Sequence, residues 1–342
     1  MRHGIRASTT TLVASAIAAF CGASCAARPA RPPPRDPPAR ALSVTDGRVS
    51  LRATAYVELH AWLAAAARTG EDLGPALEPA RRAYARSLRD DDDDAVLRRT
   101  TRALSVCSDD RCASAAVAGE GFGSAYDRAL PPFVARTWLE RATAAWIGLE
   151  ATRGVLGELG PVADALFLRA ASDLGVAWPE EPVAIAVVSE APPVGTAALA
   201  PIALATRGRC FARAPSVARR PYARVDHARV LDCLLVHALV GLAGDERGRA
   251  GPLFDALALE LGARDGERAW TLAVLHAVAA VVTGWEPAHR SVYRRSAEAV
   301  ELPMLAWLAA EWRGAGAEPL AAFASRYAAR WREVHAARDE GE

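Results

Sequence analysis

Apolar positions recur along this chain mostly at helical spacing, and their densest run lies between Asp226 and Trp285. The centre of that run, Val230-Leu231-Asp232-Cys233-Leu234-Leu235-Val236-His237-Ala238-Leu239-Val240-Gly241-Leu242, is apolar almost all the way round a helical wheel. This predicts a helix buried on nearly every side. Glu267 to Thr283 is a second such run, carrying Trp270, Leu272, Leu275, Val278 and Val282, and Gly284 and Pro287 close it. Leu51 to Arg68 reads as an amphipathic helix with Tyr56, Leu59, Leu63 and Ala67 on one stripe, and His60 beside it as a partly buried surface histidine. Further helices are expected from Pro75 and Pro79 to Leu88, Ala95 to Val106, Pro131-Pro132 to about Leu159, Pro161 to near Gly175, Pro252 to Leu261, Pro303 to Arg313 and Pro319 to Arg338. None of these apolar runs reaches the roughly twenty uncharged residues of a membrane span.

The texture changes at Trp178-Pro179-Glu180-Glu181-Pro182. Val183-Ala184-Ile185-Ala186-Val187-Val188 is a short β-rich run bounded by prolines, and Leu199 to Thr206 is a second candidate strand. The expected fold class is mainly α, strictly α+β with a minor sheet of two or three strands. It is a helical globule around a central buried helix. With 342 residues and 51% hydrophobic content the chain can bury a large core. We expect one mainly helical domain over 49–340, with a helical half at 49–176 and the sheet, central helix and C-terminal helices at 177–340.

The first residues have a different character. Met1 to Arg6 is basic, Leu12 to Phe20 is apolar, and Cys21-Gly22-Ala23-Ser24-Cys25-Ala26-Ala27 is made of small residues. That order is a signal peptide over 1–27. Gly22-Ala23-Ser24-Cys25 reads as a bacterial lipobox with Gly at its first position, making Cys25 the lipidated residue; ordinary cleavage after Ala26 or Ala27 is the alternative. From Arg28 to Arg40 the chain is almost only Pro, Ala and Arg, and a stiff tether is expected over 28–48. The sequence thus points to an exported bacterial protein, periplasmic or anchored at the outer membrane through a lipid on Cys25.

Export makes the cysteines legible, because an oxidising compartment permits disulfides. Cys107 and Cys112 flank a short loop, and Cys210 and Cys233 are the remaining pair by elimination, so two structural disulfides are expected. Neither pair has zinc-ribbon spacing. The formal net charge of +1 argues against a polyanion, and no nucleic-acid partner is expected. All 41 Lys+Arg positions are Arg, which excludes Schiff-base lysine chemistry and a P-loop lysine. The run Asp90 to Asp94 lacks the alternating ligands and Gly of a calcium loop and reads as a solvated connection. Ser189 and Ser216 sit in no nucleophile-elbow context.

A histidine inside an apolar helix is where a zinc peptidase carries H-E-x-x-H, two imidazoles one turn apart and a Glu to activate water. Here the frame reads His237-Ala238-Leu239-Val240-Gly241. Trp138, Trp146-Ile147, Trp178-Pro179, Val183 to Val188, His237, His276 and Gly284 follow one another in an order that resembles exported bacterial gluzincin-like zinc metallopeptidases. The resemblance covers Leu51 to Arg330 loosely and implies a zincin-like architecture. It puts Ala238 at the base, Gly241 at the second ligand, and Trp285 or Glu286 at the downstream acid. One tetrahedral ligand does not hold zinc, and without a base the water has no activator. The resemblance therefore implies an inactive relative, a pseudoenzyme with no cofactor and an unidentified protein partner. The alternative is a working zinc hydrolase with a rearranged site on His237, His276 and Glu286, with His289 a further candidate. The simplest role for His237 is a buried imidazole hydrogen-bonded to a carbonyl or to a carboxylate such as Asp232.

Overall fold

The computed structural model describes residues 41–88, 93–189, 203–205, 224–243, 251–289 and 301–339. The signal peptide, Cys25, residues 28–40 of the tether, Cys210 and Ser216 lie outside the described residues. Within them the chain is mainly helical, with eleven helices and a small four-stranded sheet.

The sheet begins earlier than the sequence pattern indicates. β1 (Ala41–Asp46) and β2 (Val49–Thr54) form an antiparallel hairpin through Gly47, whose φ of 53° suits a tight turn. Ala41 to Arg48 is therefore ordered strand and turn rather than tether. β2 also takes the first residues of the helix expected from Leu51, and α1 (Ala55–Thr69) starts without an intervening loop. Thr54 ends the strand and caps the helix, its hydroxyl accepting from Val57 N at 3.2 Å. Gly70, with φ 75°, closes α1 in the left-handed conformation.

β3 (Val183–Val188) pairs parallel to β2, Val49 opposite Val183, and β4 (Ala203–Ala205) pairs parallel to β3. The order is β1-β2-β3-β4. Strands in the middle of such a sheet are covered on both faces, which is why β3 is a continuous apolar run rather than an alternating one. Val183, Ile185 and Val187 join Val49, Leu51 and Ala53 in the larger core. Ala186 and Val188 face a second core, built on α1, α2 (Glu78–Ser87), α3 (Asp93–Ser105), α4 (Asp110–Ala118) and α5 (Gly123–Arg136).

The larger core is completed by α6 (Trp138–Leu159), α7 (Pro161–Asp173), α8 (Arg224–Ala243), α9 (Gly251–Trp285), α10 (Leu302–Glu311) and α11 (Leu320–Asp339). α8 is the expected central helix: Leu231, Leu234, Leu235, Val236, Ala238 and Leu239 are all fully buried. The two helices expected at Pro252–Leu261 and Glu267–Thr283 are one element with a kink at Gly262 (φ 80°, ψ 168°). By length and composition α9 is apolar enough to cross a membrane, but the residues that make it so are buried against α8 and α11. Pro131 and Pro132 lie inside α5, not at a helix start, and the break falls at Thr137. Burial of Tyr126, Ala129, Leu130 and Phe133 outweighs the backbone bonds the two prolines forgo. α4 was not signalled by the glycines around it; Asp109 caps it, accepting from Cys112 N at 2.9 Å.

Candidate functional site

His237 lies on α8 and is 5% exposed, between Val236 and Ala238, both completely buried. His276 lies on α9 and is partly buried. Glu286 follows the end of α9, and both its oxygens are engaged: Arg224 Nε is 3.1 Å from Oε2, and Ala288 N donates to Oε1 at 3.1 Å. Arg224 is itself fixed over the Trp285 ring, 4.8 Å from its centroid. Among the described residues no three of His, Cys, Asp and Glu gather into a metal-holding group. Asp232 pairs with His289, Nε2 to Oδ2 at 3.2 Å, and both partners are buried.

Cys107 and Cys112 form the expected disulfide across the α3–α4 corner, with Cα atoms 5.4 Å apart. Cys233 is also disulfide-bonded; Cys210, its expected partner, lies outside the described residues.

Two polar groupings around α1 carry more chemistry than the sequence suggested. His60 is fully buried rather than partly exposed. Its Nδ1 is 3.0 Å from the Tyr84 hydroxyl, and Tyr84 stacks on Phe122 with centroids 4.2 Å apart. Nε2 is buried without a well-formed hydrogen bond. Burial lowers the imidazole pKa to about 4, the Leu97 backbone opposing it only in part, so the ring is neutral at pH 7. Burial likewise pushes the Tyr84 and Tyr126 hydroxyls well above their ordinary range.

The second grouping stands at the carboxyl ends of the parallel strands β2 and β3. Glu58, in the first turn of α1, is 1% exposed. Ser189, immediately after β3, gives it two bonds: the backbone N–H donates to Oε2 at 2.8 Å and the hydroxyl donates to Oε1. Arg141 on α6 donates from Nη1 to Glu58 Oε1 at 2.8 Å and to Ser189 Oγ at 2.9 Å. Its guanidinium carbon lies 4.3 Å from the centroid of the Trp62 ring, a cation–π contact. A buried carboxylate with three donors and a paired cation meets the conditions under which such a charge is tolerated. These residues, 83 and 48 positions apart in pairs, left no local signal in the sequence.

No family model, curated protein or solved structure matches the chain significantly.

Proposed function

We propose that this chain is an exported cell-envelope domain that binds a protein partner or braces structure rather than catalysing a reaction. It is anchored at a membrane through acylated Cys25, in the periplasm or at the outer membrane of a bacterium, and its α8 is a metallopeptidase-like helix that no longer carries the motif. The observation that carries the non-catalytic part is Glu286. This carboxylate, the acid that the resemblance puts at the downstream ligand, is engaged on both oxygens by protein donors. Around His237, the position of the missing base is a buried alanine. A water there would have neither a second imidazole at position 241 nor a carboxylate at 238 to activate it.

The test is the zinc content of purified protein starting at Arg28, beside a His237→Ala variant. Only background zinc is expected in both. Near-stoichiometric zinc that disappears in the variant overturns the reading in favour of a hydrolase using His237 and His276. The anchor is tested separately by palmitate labelling of the full chain in a bacterial host. Label that vanishes in Cys25→Ala is expected; unlabelled, soluble protein removes the anchor from the proposal.

A further inference from the structure

Arg141 is held on three sides and open on a fourth. Nη1 donates to both Glu58 and Ser189, and the plane of the guanidinium is set by the Trp62 ring beneath it. Nε and Nη2 make no hydrogen bond to any described residue. The side chain is 15% exposed, so Arg141 is within reach of solvent. The Nε–Nη2 edge is the one that offers two parallel N–H groups, the geometry that matches a carboxylate bidentately. A guanidinium already fixed by a buried partner loses little further freedom on binding, which is what makes such a donor pair effective.

Location and charge narrow the ligand. The carboxyl ends of parallel strands are where sheets covered by helices place their ligands, and β2 and β3 end at this cluster. Glu58 and Arg141 together carry no net charge, so the site suits a planar monoanion better than a phosphate dianion. Trp62 is partly buried, with Phe133 5.8 Å from it, and gives the guanidinium an apolar floor whose uncovered part borders the fork. We propose that Arg141 and Trp62 form a binding site for a small carboxylate with an apolar body, such as a free organic acid or an acylated amino acid. The site is independent of metal binding at His237 and of acylation at Cys25.

The experiment titrates the full-length chain with N-acetylphenylalanine, its carboxamide and inorganic phosphate, followed by calorimetry and tryptophan fluorescence. The acid is expected to bind on the order of millimolar or tighter. The amide and phosphate should bind roughly tenfold or more weakly, because the bidentate charged pair is lost or mismatched. Arg141→Lys keeps a cation for Glu58 but removes the fork, and should weaken the acid by a similar factor. Equal binding of acid and amide, undiminished binding in Arg141→Lys, or no binding of the acid by about 20 mM overturns the proposal. The acid-against-amide comparison needs no variant, so it decides the question even where Arg141→Lys loosens the fold.

Discussion

His60 offers a sharp test of how burial sets the acid stability of this protein. In the folded chain its pKa is about 4, against an ordinary value of 6.5. As pH falls, the unfolded chain takes up this proton first, so stability is full above about 6.5 and drains away between 6.5 and 4. That difference corresponds to roughly 3 kcal/mol at full protonation, most of which is lost between pH 7.5 and 4.5. That is a large share of the roughly 5–15 kcal/mol a domain has in total. Other groups titrate over the same range, so the informative quantity is the difference between the wild type and His60→Gln, which keeps a polar side chain near Tyr84 but cannot take up a proton here. Guanidinium unfolding followed by tryptophan fluorescence at pH 7.5, 6.5, 5.5 and 4.5 gives that difference. The wild type should lose about 2 to 3 kcal/mol relative to the variant across the series. A difference flat within about 0.5 kcal/mol would falsify the account, since it would mean that the imidazole is reached by water or repaired by a new partner when charged.

Two further predictions concern covalent and steric constraints. Replacing Cys107 and Cys112 by Ser should lower stability by about 2 kcal/mol, the amount expected for a closed loop of this size, read as a shift in the denaturant midpoint with an unchanged slope. Glycine substitutions should split in sign: a Cβ at Gly266 would lie 2.6 Å from Ala258 Cα and 2.9 Å from Leu257 O, both backbone, whereas nothing lies within 4 Å at Gly241 on α8. Gly266→Ala should therefore cost about 1–3 kcal/mol and Gly241→Ala should gain up to about 1 kcal/mol, both measured by thermal unfolding; a gain at Gly266 would mean that the α9 kink relaxes freely.

The buried helices and the run Val183 to Val188 were legible because burial on every side leaves a continuous apolar signature in the residues themselves. β2 was not, because its alternation Val49-Ser50-Leu51-Arg52-Ala53 runs straight into α1 with Thr54 serving both elements. Helical spacing in α1 then extends backward over the strand when only the pattern is read. The α3–α4 disulfide was readable from a five-residue separation, as the chain itself brings the two cysteines together. Glu58, Arg141 and Ser189 belong to three elements, and each looks ordinary in its own neighbourhood. Only the parallel pairing of β2 with β3 makes them one cluster. The same holds for Asp232 and His289, 57 positions apart. The burial of His60 escapes the pattern for a related reason: α1 shows a polar side on a wheel, yet that side is covered by α2, α3 and α5.

The pairing of Val49 with Val183 also sets an order of events. A growing chain makes the β1–β2 hairpin at its start, yet the inner edge of β2 finds its neighbour only after seven helices have been made. Until then that edge is an unpaired strand with apolar residues on one face, the kind of surface that recruits other chains. Closing so long a stretch is entropically modest but slow, so this protein should fold as a unit and late. A cut between α7 and β3 would give two pieces, neither with a finished sheet, and the first piece synthesised would be the one most exposed to misassembly.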